Sequence, residues 1–263
     1  MNSTFSLSDV VVRFGDRAAV NGVTVDIPRG EVTAIVGPNG CGKSTLLRAM
    51  SRLQTTDAGA VSLDGHAVQS IRPREFATRV ALLPQAPLAP DNLTVIDLVT
   101  RGRDPYRRWF DQWSRTDEAI VAEALERTGM TEFADRPLES LSGGQRQRAW
   151  IALSFAQKTD VLLLDEPTTY LDIAHQLEVL DTVRALHTDD GVTVVMVLHD
   201  LSLAARYADH LLAMRDGKLV AAGTVHEVVT PAVLRDVFGV ECTVLDDPQS
   251  GRPIVIPRTL STP

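Results

Sequence analysis

The 263-residue chain lacks the features that mark secreted, membrane-spanning or nucleic-acid-binding proteins. Its two cysteines, Cys41 and Cys242, are too few for a disulfide framework. No apolar run approaches the ~20 residues that cross a bilayer, and Met1–Leu7 lacks the basic and apolar stretches of a signal peptide. A net charge of −8 disfavours general nucleic-acid binding, which needs a basic face. We therefore expect an intracellular protein.

Lysine is also scarce, since arginine supplies nearly all the basic groups. Lys43 stands out against this background because it ends a run with the glycine, lysine and hydroxyl spacing of a phosphate-binding loop (P-loop). The apolar run Val32–Val36 precedes the loop and a helical pattern over Lys43–Leu53 follows it, as such a loop requires. The residues are Gly37, Pro38, Asn39, Gly40, Cys41, Gly42, Lys43, Ser44 and Thr45.

This pattern predicts that Lys43 reaches the β- and γ-phosphates of a nucleotide and that the Ser44 hydroxyl binds Mg²⁺. Thr45 extends the same helix start. A purely structural glycine turn is the alternative interpretation. For Cys41 two interpretations remain, a small buried filler and a reactive thiolate at a helix N-terminus.

A second anion site is predicted at Ser142, Gly143, Gly144 and Gln145, which follow Leu141. The serine offers a hydroxyl and the glycines let backbone N–H groups approach an anion closely. A helical pattern continues beyond them, so a helix N-terminus would add its positive end. One triphosphate could therefore be held between two sites.

Polar residues at the ends of apolar runs are candidates for catalysis, because α/β sheets bind ligands at the carboxyl ends of strands. After Val161–Leu164, Asp165 would hold Mg²⁺ and Glu166 would orient or deprotonate the attacking water. Gln85 would contact Mg²⁺ and water. His199 would contact the γ-phosphate. A solvated strand end and a structural histidine are the alternatives.

Two further residues are candidates for nucleotide contact. The aromatic face of Phe14 can stack on adenine, with core packing as the alternative. Leu171-Asp172 follows the carboxylate pair closely and would reach a partner copy.

The order of strand and helix patterns indicates an α/β fold. Asp64-Gly65 and Asp216-Gly217 predict hairpins, and the first 30 residues resemble an antiparallel edge of the main sheet. Ser114 or Thr116 would cap a helix that Gly129 ends. The tail predicts a helix over Glu227–Phe238 and short strands near Cys242–Leu245 and Pro253–Ile256.

Together the motifs resemble, in content and order, those of the ATP-binding-cassette (ABC) ATPases over nearly the whole chain. The resemblance implies a P-loop fold with a RecA-like mixed-sheet core (1–85 and 158–225), an antiparallel β subdomain, an inserted helical subdomain (86–157) and a C-terminal extension (226–263). It also implies ATP and Mg²⁺ as cofactors and two copies that sandwich two ATP molecules. Each ATP would then meet Lys43 of one copy and Ser142 and Gly144 of the other.

The motifs also show a narrower resemblance, to the ATPases of ferric-siderophore importers. It rests on Gly37–Lys43, Leu83-Pro84-Gln85, Arg101-Gly102-Arg103 with Pro105 and Tyr106, Pro167–Asp172, and the ending Asp247-Pro248 with Gly251-Arg252-Pro253. It implies a peripheral subunit at the cytoplasmic face of the cell membrane, bound to a permease and served indirectly by a substrate-binding protein. Vitamin B12 or haem importers are the first alternative. An exporter and a soluble ABC ATPase of DNA repair or translation are the others.

The segment Arg101–Trp113 combines arginines (Arg101, Arg103, Arg107, Arg108) with aromatic residues (Tyr106, Trp109, Phe110, Trp113). We expect it to form a surface that faces membrane subunits or lipid headgroups. A packed loop is the alternative, and the acidic total disfavours nucleic acid.

Overall fold

The structure, a computed structural model, describes residues 3–87, 89–107, 113–169 and 171–260. In chain order its strands are β1 (Ser3–Phe14), β2 (Arg17–Pro28), β3 (Val32–Val36), β4 (Ala58–Leu63), β5 (His66–Ala67), β6 (Val80–Leu83), β7 (Val161–Asp165), β8 (Thr193–Val197), β9 (His210–Arg215), β10 (Lys218–Thr224), β11 (Val240–Asp246) and β12 (Pro253–Leu260).

The α-helices are accompanied by short 3₁₀ segments at Val68–Ser70, Arg101–Tyr106, Thr131–Phe133 and Leu138–Ser140. In chain order they are α1 (Lys43–Met50), α2 (Pro73–Ala77), α3 (Val95–Thr100), α4 (Arg115–Arg127), α5 (Gly143–Ala156), α6 (Ile173–Asp190), α7 (Leu201–Tyr207), α8 (Val225–Val228) and α9 (Pro231–Phe238). Within the described ranges, no helix combines the length and the apolar content that crossing a bilayer requires.

The chain divides into two compact units, the first formed by Met1–Ile71 with Thr193–Pro263 and the second by Arg72–Val192. The finer subdivision expected from the sequence, with a helical subdomain over 86–157 and an extension over 226–263, stays a prediction.

The first unit holds a mixed sheet in which β10, β9, β3 and β8 are neighbours in that order. Strands β9, β3 and β8 run parallel, and β10 runs antiparallel to β9. Every residue of β3 and β8 is buried, as the continuous apolar runs predict for central parallel strands. The mixed sheet with its helices confirms the predicted α/β class.

The placement of the first 30 residues at an edge of the main sheet is wrong. Strands β1 and β2 belong to a separate four-stranded antiparallel sheet, ordered β2-β1-β4-β5. The physical reason is that β1 pairs along both of its edges, with β2 on one side and with β4 on the other. The alternation of apolar residues in β1 does not distinguish these two arrangements.

Both predicted Asp-Gly hairpins are confirmed. Asp64 joins β4 to β5, Asp216 joins β9 to β10, and both pairs of strands are antiparallel. Each aspartate has a φ of 50°, in the left-handed region. This is the conformation that two-residue turns of type I′ need, and aspartate tolerates it better than most residues.

The second unit pairs β6 with β7 in parallel and is otherwise largely helical in its described part. Ser114 is the residue that caps α4, because its Oγ accepts from the Asp117 N–H at 3.0 Å. The Asp117 carboxylate bonds back to Ser114 and completes a capping box.

The tail differs from expectation in one respect. A single helix over Glu227–Phe238 is wrong, because α8 ends at Val228 and α9 begins at Pro231. Proline fits the first turn of a helix but not its interior, and Thr230 caps the new helix through a bond from the Val233 N–H at 3.3 Å. The two predicted strands that follow are confirmed as the hairpin β11–β12.

Candidate nucleotide site

The P-loop lies in the first unit, between the central strand β3 and helix α1. Gly42 precedes the helix with a φ of +106°, and a Cβ atom at this position would lie 2.1 Å from the Ala19 carbonyl oxygen. Only glycine avoids both the strained φ and the backbone overlap. Strand β2, which carries Ala19, therefore packs closely against the loop and leaves no room for a side chain at position 42.

The side chain of Lys43 folds back and bonds to the first residues of the same loop. Its Nζ donates to the carbonyl oxygens of Gly37 and Pro38, each at 2.9 Å, and the residue is only 4% exposed. The ammonium is thus held inside the loop, where phosphate oxygens would be stronger acceptors than neutral carbonyls. Ser44 and Thr45 follow in the first turn of α1, both half-buried.

Cys41 is buried beneath the same loop. Burial raises the pKa of its thiol, and the nearby charge of Lys43 opposes this rise without cancelling it. A thiol with a raised pKa stays protonated at neutral pH and is a poor nucleophile. Of the two interpretations of Cys41, the structure therefore favours the small buried filler.

The hairpin of β1 and β2 carries Phe14 to the P-loop side of the first unit. Phe14 pairs with Arg17 across the turn, and the Arg17 Nη2 donates to the Gly40 carbonyl oxygen at 2.9 Å. Phe14 is 56% exposed, so core packing does not explain it. Arg17 was missed by the sequence analysis, since nothing in its neighbours signals a contact with a loop more than twenty positions away.

His199 emerges from the strand next to the P-loop strand. Ile35 of β3 pairs with Val197 of β8 in parallel register, so positions 37 and 199 leave the sheet at the same edge. His199 is exposed, and Asp200 caps α7 by accepting from the Ser202 and Leu203 N–H groups at 2.7 and 3.0 Å. The cap holds the chain just after the histidine in one conformation.

Gln85 and Glu166 meet in the second unit. Leu83 pairs with Leu164 in parallel register, so both residues stand two positions beyond paired strand ends. Gln85 Nε2 donates to Glu166 Oε2, and Thr169 Oγ1 donates to the same oxygen at 3.0 Å. These bonds orient the carboxylate.

The two carboxylates that end β7 differ in environment. Asp165 is the last residue of the strand and only 1% exposed. Glu166 is half-buried and has a φ of +55°, a left-handed conformation that costs a non-glycine residue of order 1 kcal/mol. The sharp turn after β7 thus directs two adjacent carboxylates to different surroundings.

Ser142 caps α5, and its predicted contact with an anion stays a prediction. Its Oγ accepts from the Gln145 N–H at 3.3 Å, and the Gln145 side chain accepts from the Ser142 N–H at 3.0 Å. The structure thus gives Gln145 a capping role, and its contact with ATP stays a prediction. Gly143 and Gly144 form the first turn, with N–H groups that have no intrahelical acceptor.

Asp172 caps α6 with Oδ1, which accepts from the His175 N–H at 3.0 Å. This bond, followed by a second one from the His175 ring, lowers the pKa of the Asp172 carboxyl. His175 was also missed by the sequence analysis, since a capping box is recognised by Glu or Gln three positions after the cap and not by histidine.

The described part of the arginine-rich segment is only partly packed, since Arg101, Tyr106 and Trp113 are exposed. Arg103 lies buried, with its Nε 2.9 Å from Asp117 Oδ1 and its Cζ 4.1 Å from the Tyr106 ring centroid. For Arg103 the expected exposed surface is therefore wrong, because a buried carboxylate pairs with it. Arg107 lies over the Trp113 ring at 5.2 Å. Arg108, Trp109 and Phe110 lie outside the described residues.

A P-loop between a central parallel strand and a helix, with a histidine at the end of the neighbouring strand, defines a P-loop nucleotide-binding fold. The comparison with known families goes further. The model of the ABC transporter family matches residues 20–169, more than half of the chain. The chain therefore belongs to the ABC transporter family, as its ATP-binding, ATP-hydrolysing component.

Relatives cover the chain almost completely. The petrobactin import ATP-binding protein FpuD of Bacillus anthracis is 49% identical over 258 residues, which are 98% of this chain and 94% of the relative. The ferric enterobactin transport ATP-binding protein FepC of Escherichia coli is 48% identical over 250 residues, 95% of this chain and 92% of the relative.

Solved structures agree with this assignment. A chain of an ABC transporter described as metal-chelate type, in an inward-facing conformation, matches with a TM-score of 0.84 and 26% identity over 98% of both chains. A dimeric ATP-binding cassette in a post-hydrolysis state, bound to ADP and phosphate, matches with a TM-score of 0.73 and 26% identity, over 84% of this chain and 98% of that one.

Proposed function

We propose that this protein is the ATP-hydrolysing subunit that energises import of a ferric siderophore by an ABC transporter. The observation that carries the proposal is the pair of relatives named for petrobactin and for ferric enterobactin, each matching more than nine-tenths of the chain at nearly half identity. Because the two relatives are named for different siderophores, they support ferric siderophores as the class of cargo and do not point to one particular siderophore.

In this proposal the P-loop binds the phosphates of ATP. Backbone N–H groups of the loop after Pro38 surround them, and Lys43 exchanges its two carbonyl acceptors for phosphate oxygens. The exposed ring of Phe14 stacks on adenine, beside the loop that Arg17 holds in place.

The donor chemistry fits Mg²⁺, which prefers oxygen ligands. The proposed ligands are the Ser44 hydroxyl, the Gln85 side-chain carbonyl and the buried carboxylate of Asp165, each of which supplies oxygen. Bound Mg²⁺ would neutralise charge on the β- and γ-phosphates.

Glu166 is our proposed general base, which accepts a proton from the attacking water at a carboxylate oxygen. Gln85 and Thr169 hold Oε2, so they fix the orientation in which the carboxylate meets the water. His199 donates to the γ-phosphate, where charge develops during in-line transfer.

We propose that hydrolysis needs a second copy of the chain. Ser142 and Gly144 at the start of α5 would bind the γ-phosphate of the ATP held by the partner copy, and Asp172 would reach that partner. The dimeric cassette bound to ADP and phosphate supports this arrangement. The permease would bind the pair at the cytoplasmic face of the membrane, and a substrate-binding protein would deliver the cargo.

Two substitutions test the ATP chemistry. Glu166→Gln keeps the side-chain shape but not the base, so we expect normal ATP binding with turnover lowered by about 10²-fold or more. Lys43→Ala removes charge-assisted bonds, so we expect ATP binding weakened about tenfold to a hundredfold. The measurements are steady-state ATPase activity and fluorescent-nucleotide titration. Glu227→Gln, at an exposed capping glutamate, is the control. Near-normal turnover in Glu166→Gln would show that the base is another residue.

Uptake assays test the cargo. A deletion strain complemented with the wild-type chain or with Glu166→Gln is given labelled ferric siderophores, cobalamin or haem in separate arms. We expect ferric siderophore uptake to depend on the wild-type chain. Dependence of cobalamin or haem uptake alone would replace the proposed cargo while leaving the ATPase assignment intact.

A further inference from the structure

His175 makes two bonds to one oxygen of Asp172. Its backbone N–H donates to Asp172 Oδ1 at 3.0 Å, and its ring Nδ1 lies 2.7 Å from the same oxygen. Because a carboxylate oxygen only accepts, Nδ1 carries the proton in this contact. Both His175 bonds use Oδ1 and neither uses Oδ2.

The same imidazole covers Gly144. A Cβ atom at position 144 would lie 2.4 Å from His175 Cδ2 and 2.9 Å from its Cγ. Real Cβ contacts are longer than this, so any side chain at position 144 would displace the ring. The imidazole therefore touches the first turn of α5 on one side and the cap of α6 on the other.

The contact between α5 and α6 continues along both helices. Arg148, four positions after Gly144, forms an ion pair with Glu178, three positions after His175. At the first residue of α5, a Cβ atom at Gly143 would lie 3.6 Å from Leu171 Cδ2, an ordinary van der Waals distance. His175 thus stands at the end of the helix pair that is nearest Ser142.

Bonds from Gln176 and Thr169 join the start of α6 to Leu171 and join Thr169 to Glu166. Gln176 Nε2 donates to the Leu171 carbonyl oxygen at 3.0 Å, and Thr169 Oγ1 donates to the Glu166 carboxylate at 3.0 Å. A shift of the first turn of α6 therefore reaches Glu166 through few bonds.

From these contacts we infer that His175 is a positioning residue, which links the phosphate-contacting turn Ser142–Gly144 to Asp172 within one chain. When a γ-phosphate binds at that turn, the imidazole transmits the position of Gly144 to the Asp172 carboxylate and to the segment after Glu166. This inference rests on the roles of Ser142, Gly144 and Asp172 in the proposed function, and it adds the residue that connects them.

Three substitutions separate the ring contact from the hydrogen bond. His175→Ala removes both. His175→Phe keeps a ring against Gly144 but cannot donate to Asp172. His175→Asn keeps a donor near the position of Nδ1. His187→Ala is the matched control, because His187 lies on the same helix and its Nδ1 is 3.0 Å from the Val192 carbonyl oxygen, away from Asp172 and Gly144 in the sequence.

We expect kcat per active site to fall about tenfold in His175→Ala and His175→Phe, as small misplacements of reacting groups do. His175→Asn should recover most of it, and His187→Ala should keep the wild-type value. The dissociation constant of a fluorescent ATP analogue should stay unchanged in all four variants, because the P-loop binds the nucleotide and none of them alters it. The full-length chain is assayed well below its melting temperature.

Three results would overturn the inference: wild-type kcat in His175→Ala, no recovery in His175→Asn, or a loss of ATP affinity in proportion to kcat. A merely structural role would lower the melting temperature of His175→Ala while leaving kcat per active site unchanged. Glu166→Gln is included in the same series. If it too keeps normal turnover, the proposed role of Glu166 as the base fails, whereas a defective Glu166→Gln beside normal His175 variants refutes the positioning role alone.

Discussion

The buried ion pair of Arg103 and Asp117 gives the sharpest prediction for stability. Arg103 Nε lies 2.9 Å from Asp117 Oδ1, and the two side chains are only 7% and 10% exposed. Arg103 Nη1 also donates to the Ala156 carbonyl oxygen at 2.9 Å. Arg103→Ala therefore removes the partner of the desolvated Asp117 carboxylate. It also removes the hydrogen-bond donor to the Ala156 carbonyl at the end of α5.

The expected cost follows from burial. Removing one partner of a buried pair destabilises a protein by about 3–5 kcal/mol, because the remaining charge is left uncompensated. The pair of Arg235 and Glu241 is the control, with side chains 50% and 39% exposed. Exposed pairs contribute about 0–1 kcal/mol. Arg103→Ala should therefore cost several times as much as Arg235→Ala.

Urea unfolding measures this difference, followed by tryptophan fluorescence and far-ultraviolet circular dichroism on the same samples. The double variant Arg103→Ala/Asp117→Ala should cost less than the sum of the single variants, because no buried charge remains. A free energy of unfolding for Arg103→Ala equal to that of Arg235→Ala would refute the reasoning from burial.

The pH dependence of this pair has a definite sign. Burial alone would raise the pKa of Asp117, but bonds from Ser114 and Arg103 outweigh it and the pKa is lowered. A carboxyl with a lowered pKa stabilises the fold above the pKa of the unfolded chain and loses that contribution as the pH falls. The advantage of the wild type over the double variant should therefore shrink below about pH 4.

Two predictions concern the P-loop. Gly42→Ala should lower the free energy of unfolding by at least about 2 kcal/mol, because left-handed strain is joined by overlap with the Ala19 carbonyl oxygen. Gly191→Ala is the control in the same urea assay and should cost only about 1 kcal/mol, because Gly191 has a φ of +68° with open space around it. Equal costs would contradict the overlap. Iodoacetamide at neutral pH should modify the half-buried Cys242 before the buried Cys41, as measured by mass spectrometry, and faster labelling of Cys41 would restore the reactive-thiolate interpretation.

Sequence alone predicted the features that depend on neighbours in the chain. The Asp64 and Asp216 hairpins, the Ser114 cap and the strand–loop–helix context of Lys43 each follow from local backbone and side-chain preferences. The break in the tail was also readable in principle. Pro231 stands inside the predicted helix, and proline there argues for a helix start rather than a helix interior.

Sequence could not predict which distant segments meet. Strand β1 pairs with the distant strand β4 as well as with β2. The apolar alternation of β1 would fit the edge of the main sheet equally well, so it does not predict this pairing. The contact of Arg17 with Gly40 and that of His175 with Gly144 join residues whose own neighbours signal nothing about each other. Such contacts are set by tertiary packing, which a single sequence does not display.

Arg103 shows how this limit affects the interpretation of function. Charged residues lie on the surface in most proteins, so an arginine-rich segment is read first as a binding face. Burial of Arg103 is tolerated here because Asp117, itself fixed by its capping box with Ser114, supplies a charge at hydrogen-bond distance. His175 follows the same rule at the candidate site, where a capping aspartate holds a titratable ring against a glycine. In both places the helix cap fixes the carboxylate and the carboxylate fixes its partner, so loss of either cap should displace a residue that the motifs alone would not name.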